Sequence, residues 1–182
     1  MTRRLELIPA TADLVRAEID EPERFFGRLG VTRADDWPSE NLQGVLPLFL
    51  EALQDPANVG WLSWYWVDRA ENAIVGGGGF KGQPSGEGVV EIGYETRPAY
   101  RRRGYASESV AALVDWALSQ TGVRHVIAET AHGNAASIGV LRATGFKPAG
   151  TGSEPELVRF EHIARGDSAD ASRLGPARAR DP

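Results

Sequence analysis

The sequence predicts an α/β (α+β) domain built on a mixed, mostly antiparallel sheet with one parallel strand pair and flanking helices. Three observations carry this. The runs Trp61–Asp68, Ala73–Phe80 and Val89–Thr96 are apolar and aromatic, and the turn chemistry of Gly82-Gln83-Pro84-Ser85-Gly86 separates the last two, as in an antiparallel meander. Val110, Leu113, Val114, Ala117 and Leu118 recur at i, i+3, i+4, i+7 and i+8, one face of an amphipathic helix. A strand, that helix and a second strand at His125–Thr130 follow one another with short connections, which favours a right-handed crossover and a parallel pair.

The other elements fall around these. Arg4 to Pro9 alternates apolar and polar side chains and stops at proline, as a short strand does. From Thr11 to about Gly30 the pattern is helical through Leu14, Val15, Ile19, Phe25, Phe26 and Leu29, with Pro22 placed to begin a second helix. A helix is expected after Ser39 to about Gln54, with Pro47 as a point of kinking or division. Gly122 is placed to end the amphipathic helix. A helix is expected from Asn134 to Thr144, stopped by Gly145, and strands over 146–151 and 156–161 complete a single domain over 1–163. Residues 164–182 carry one large apolar residue, Leu174, too little to offset chain entropy, and read as a flexible tail.

Composition sets the outer limits. The chain has 182 residues, 20 Lys+Arg against 25 Asp+Glu, one methionine and no cysteine. Disulfides, thiolate metal sites and cysteine nucleophiles are therefore excluded. A net charge of −5 argues against a general nucleic-acid binder. Apolar stretches are short and interrupted, and the N-terminus has no apolar run, so a membrane span and a signal peptide are not expected and the protein reads as cytoplasmic. His125, His132 and His162 lack compact ligand spacing, so no metal is expected.

The chemistry concentrates after the third strand. Val89–Thr96 leads into Arg97-Pro98-Ala99-Tyr100 and then Arg101-Arg102-Arg103-Gly104-Tyr105-Ala106, directly before the amphipathic helix. Such a turn gathers unpaired backbone N–H groups, the positive end of a helix dipole and extra cationic charge, which together suit a diphosphate. Gly104 permits close approach of the backbone to the anion, and Ala106 is small enough not to crowd it. A triple arginine taken alone would read as a solvated cluster; its place between a strand and a strongly patterned helix is what makes it a site.

On these residues the chain resembles the GNAT superfamily of acyl-CoA-dependent N-acetyltransferases, and most resembles the RimJ/RimL-like branch of ribosomal-protein N-terminal acetyltransferases. The family's Gln/Arg-x-x-Gly-x-Gly/Ala signature is met by Arg101, Gly104 and Ala106, and its Asn-led helix ending in Gly-Phe is met by Asn134, Ser137, Gly145 and Phe146. Glu91-Ile92-Gly93-Tyr94 also fits. The resemblance implies two parallel strands, Val89–Thr96 and His125–Thr130, that splay around the pantetheine arm of acetyl-CoA. It further implies cofactor contacts from Thr96, Arg101, Arg102, Arg103, Gly104, Tyr105 and Ala106, with Asn134 touching the arm. Similar proteins are commonly homodimers. The acceptor it implies is an amine, on a small molecule or a protein N-terminus.

Amide formation from a thioester needs a neutral amine and a way to release thiolate. A lysine-type amine, pKa about 10.4, is neutral about once in a few thousand molecules at pH 7, whereas an α-amine near 8 is neutral roughly a tenth of the time. A general base therefore matters most for the first class. Similar enzymes often place a carboxylate on the strand before the phosphate turn, which makes Glu91 the candidate base, with Glu95 and Glu129 as substitutes; Glu91 reads equally well as a surface strand residue. Where many relatives carry a tyrosine acid this chain has Leu141, and the resemblance points to Ser137 as the substitute. Trp37, Phe49, Trp61, Trp64 and Trp66 make the first half aromatic, mostly as core, with one or two expected along the amine channel.

Rival readings are weaker. Gly77-x-Gly79-x-x-Gly82 matches a dinucleotide fingerprint but leads into Gln83-Pro84-Ser85 and no helix, so these glycines instead suggest a bulge or a close approach. No Gly-x-Ser-x-Gly elbow occurs. The absence of the tyrosine keeps open a non-catalytic acyl-CoA-binding module, and the arginines keep open RNA binding, which would be strongly salt-dependent.

Overall fold

A computed structural model describes residues 2–163. The tail expected over 164–182 lies outside the described residues. The chain runs β1 (Leu5–Pro9), α1 (Ala12–Asp20), α2 (Pro22–Leu29), α3 (Glu40–Ala52), β2 (Ser63–Asp68), β3 (Ala73–Phe80), β4 (Val89–Thr96), α4 (Tyr105–Leu118), β5 (His125–Ala131), α5 (Ala135–Ala143), β6 (Lys147–Thr151) and β7 (Leu157–Ile163). Short polar side chains start three of the helices: Thr11, Ser39 and Asn134 accept from the backbone N–H groups of Leu14, Leu42 and Ser137. Pro22 opens α2 and Gly30, at φ 64°, closes it. Exposed Pro47 neither divides nor ends α3, which continues to Ala52.

The strands form one seven-stranded sheet in the order β1-β2-β3-β4-β5-β7-β6. Every neighbouring pair is antiparallel except β4 and β5. That parallel pair bonds only at Val89↔His125, Val90↔Val126 and Glu91↔Ile127. Beyond Glu91 the two strands part, and the sheet opens along its middle.

Strand alternation sorts side chains onto two faces. On one, Val90 and Ile92 of β4 pack with Val110, Leu113 and Val114 of α4 and Leu141 of α5. On the other, Tyr65, Val67 and Ile74 pack with Val15, Phe25, Phe26 and Leu29 of α1 and α2 and Leu46 of α3. The glycine run of β3 is the fold's response to crowding. A Cβ at Gly78 would lie 2.8 Å from the Trp66 ring, and one at Gly77 would lie 2.8 Å from the Trp37 ring. At Gly79 it would fall on the Leu62 carbonyl oxygen.

Beneath the second face, Glu18 is buried and accepts hydrogen bonds from Trp37 Nε1 (2.9 Å) and the Tyr65 hydroxyl (2.6 Å). Burial pushes its carboxyl up to about 7, against the opposing effect of those two bonds. The folded chain therefore keeps a proton that an unfolded glutamate, near 4.5, releases. Stability from this group is full below pH 4.5, declines as the pH rises to about 7 and is level above that. The whole change amounts to roughly 3 kcal/mol. Glu18→Gln is expected to remove this component, so that wild type loses stability relative to the variant between pH 5 and pH 8 in urea titrations.

Candidate active site

The turn before α4 has the backbone geometry of an anion cradle. Gly104 is the N-cap of α4 at φ 80°, ψ 4°, and no side chain caps this helix. The first N–H groups of α4, from Tyr105 to Ser107, have no intrahelical acceptor. Arg102 also has positive φ, 58°, which folds the turn tightly ahead of the helix. The Tyr105 ring anchors the turn from behind: it is buried, its hydroxyl donates to Asp68 (2.7 Å), and Arg4 lies 4.4 Å over its ring. Burial first, and then Asp68, push its hydroxyl up to about 12, so it stays a neutral structural group.

A cavity of about 910 Å³ starts at this turn and passes between the parted strands. Its walls are Ile92–Thr96 of β4, Ala128–Thr130 of β5, and Asn134, Ser137 and Val140 at and along α5. A second cavity, about 440 Å³, lies on the α3 face, walled by Leu42, Val45 and Phe49 and floored by the glycines of β3 and Gly93. The two cavities share Gly93, Tyr94 and Glu95. A Cβ at Gly93 would meet nothing within 4 Å, so no side chain crowds the stretch of β4 that the two cavities share.

The groups at the junction are held. Ser39 Oγ, the cap of α3, donates to Glu95 Oε2 (2.8 Å). The Tyr94 hydroxyl lies 3.0 Å from Ser137 Oγ and donates to the Ser137 carbonyl oxygen (3.2 Å). Burial raises the Tyr94 pKa, partly offset by its Ser137 bond. Asn134 Oδ1 caps Ser137 N–H (3.1 Å) while its residue lines the larger cavity.

The family model described as an acetyltransferase (GNAT) domain matches residues 4–147. The chain belongs to the GNAT acetyltransferase family. It is 34% identical over 146 residues, 80% of this chain and 87% of the relative, to YjdG of Bacillus subtilis (strain 168), an uncharacterized N-acetyltransferase. Two solved structures share the fold. One is RimL, a ribosomal-protein alpha-N-acetyltransferase in complex with coenzyme A, at 18% identity and TM-score 0.62, covering 89% of this chain and 95% of that one. The other is a dodecameric spermidine N-acetyltransferase from Vibrio cholerae, at 13% identity and TM-score 0.60, covering 88% and 94%.

Among GNAT proteins the family activity is acyl transfer from acetyl-CoA to an amine, and the residues assigned from sequence fall as follows. Thr96, Arg101, Arg102, Gly104, Tyr105, Ala106, Asn134 and Ser137 line the larger cavity. Arg103 does not. Its guanidinium pairs with Glu71 and lies over the Tyr100 and Tyr105 rings, at 5.4 and 5.2 Å. Glu91 lines neither cavity: it sits in the closed part of the parallel ladder, and Lys81 binds its carboxylate. Glu129 lines the larger cavity, but Ser153 and then Arg159 hold its carboxyl down at about 2, which makes it a poor proton acceptor. Glu95 is the strand carboxylate that reaches both cavities. Of the five aromatics, Phe49 lines the smaller cavity. Trp37 and Trp66 are buried in the cores on opposite faces of the sheet, and Trp61 and Trp64 pack on Trp116 of α4. Sequence reasoning assigned Tyr94 no role, although alternation along β4 places it with Ile92, on the face that meets α4 and α5. Among the described residues no cluster of His, Asp or Glu fits a metal ion, and no helix is long and apolar enough to cross a membrane.

Proposed function

We propose that this chain is an N-acetyltransferase that moves the acetyl group of acetyl-CoA to a primary amine by direct attack in a ternary complex, in the manner of the RimJ/RimL-like branch. The observation that carries this reading is the meeting of two cavities at Gly93–Glu95, one leading from an anion cradle and the other from the opposite face of the sheet. Acetyl-CoA would supply the acyl group as a thioester. For its diphosphate, the chain offers the amides at the start of α4 and the Arg101 and Arg102 side chains. Uncapped amides and a glycine cradle fit such a ligand. Asn134 and the wall from Ala128 to Thr130 would hold its arm between the strands.

The remaining roles belong to the junction. Glu95, fixed by Ser39, takes the proton from the amine nitrogen as it attacks the acyl carbon. As the carbon–sulfur bond breaks, the Tyr94 hydroxyl delivers a proton to the sulfur, and Ser137 aligns it and relays a replacement from solvent. Leu141, which occupies the usual tyrosine position, is wholly buried in the core, so the hydroxyl comes from β4 instead of α5. Tyr94→Phe is expected to lower kcat by about ten- to a hundredfold without changing CoA affinity. Steady-state rates alongside calorimetric CoA titrations check this. Thiol release from acetyl-CoA with a panel of primary amines tests the function itself. CoA binding with no amine-dependent thiol release across peptides, amino acids, polyamines and arylalkylamines would instead support the non-catalytic module.

A further inference from the structure

The smaller cavity has a composition that selects among amines. Leu42, Val45 and Phe49 project from α3 at i, i+3 and i+7, so one apolar stripe forms its wall. Leu62 continues that wall, Phe80 turns its ring to the other face against Trp116 of α4, and the floor of Gly77, Gly79 and Gly93 carries no side chains. Among the described residues lining it, charge comes from Glu95 and Lys81, and Lys81 is paired with Glu91. This leaves one carboxylate, at the inner end, for one ammonium. Asn41 and Ser63 add neutral polar groups to the lining, but any second cation would lie against aliphatic carbon with no counter-charge. Its volume of about 440 Å³ lies in the range that encloses a small organic ligand.

We propose that the acceptor is a monocationic primary amine on an apolar body, free or as the first residue of a peptide, seated with that body against Leu42, Val45 and Phe49 and its nitrogen at Glu95. The inference rests on the acetyl-transfer reading of the same site. It separates this chain from an acetyltransferase of polyamines, whose several charges demand several carboxylates.

The test compares kcat/KM for 2-phenylethylamine, a phenylalanine-initiated tripeptide amide, an alanine-initiated tripeptide amide, spermidine and kanamycin. Either or both phenyl-bearing probes should exceed the other three by at least tenfold, in line with the discrimination available to an apolar pocket; which of them leads identifies the source. Phe49→Ala should lower the rate with the phenyl-bearing probes about tenfold, and Val45→Glu should move the preference toward spermidine. Calorimetric binding of 2-phenylethylamine and spermidine in the presence of CoA gives a readout that needs no turnover, with only the first expected to bind. Comparable or better use of spermidine, kanamycin or the alanine peptide would overturn the acceptor assignment and leave acetyl transfer standing. If no amine is acetylated, transfer itself fails, and the binding data still decide whether the cavity takes apolar amines.

Discussion

Gly104→Val is expected to raise the dissociation constant for CoA by about two orders of magnitude, nearly 3 kcal/mol, while the protein still folds. The obstacle is conformational. A Cβ at this position would lie 3.4 Å from Arg4 Nη2, an ordinary contact, so space is available. But the residue sits at φ 80°, where a β-branched side chain is strained by about 1–2 kcal/mol. To relieve that strain the turn must rotate, and the amides at the start of α4 then no longer converge. Glycine also lets the anion approach the backbone, which valine would block. The Tyr105 anchor on Asp68 and Arg4 lies behind the turn and is unaffected, so the melting temperature should drop only by a few degrees. Calorimetric titration with CoA and a thermal melt of the same samples separate loss of the cradle from loss of the fold.

The second large effect is expected at Glu95. Glu95→Gln keeps the size and the ability to accept from Ser39, but removes the carboxylate proposed as proton acceptor where the two cavities adjoin. At pH 7 kcat/KM should fall by about 10²–10⁴-fold for an amine with pKa near 10, and by less for one near 8. The deficit should shrink as the pH rises and the free amine deprotonates by itself. CoA affinity should be unchanged. Glu91→Gln is the matching comparison: four residues earlier on the same face of β4, it only loses a partly exposed pair with Lys81, worth about 1 kcal/mol, and its rates should stay within a fewfold of wild type. Equal rate losses for both variants would remove Glu95 from the proton-transfer role.

The contrast between these two glutamates shows what the sequence could and could not disclose. Strand alternation placed Glu91, Gly93 and Glu95 on one face, and that holds. The choice between them depends on where β4 and β5 part, which is set by the ladder ending at Glu91↔Ile127, a property of two segments far apart in the chain. The turn ahead of α4 was legible because its strand, turn, glycine and helix are consecutive. The helix starts near Thr11, Ser39 and Asn134 are local for the same reason. Arg103 was assigned to the cofactor because its partner Glu71 lies 32 residues away, beyond any local pattern. Trp64 and Trp66 were legible as strand residues, but which tryptophans met α3 and which α4 required the packing of helices on the two faces. Tyr94 illustrates the same limit from the other side: its position in the strand was plain, while its approach to Ser137, 43 residues on, appears only in the folded chain.

The account stands most directly on a crystal structure of the protein with CoA. It predicts diphosphate oxygens about 3 Å from the backbone nitrogens at the start of α4, the arm passing between β4 and β5 beside Asn134, and the sulfur next to the Tyr94 hydroxyl near Gly93. A CoA molecule bound elsewhere, or one whose sulfur points away from Tyr94 and Glu95, would contradict it.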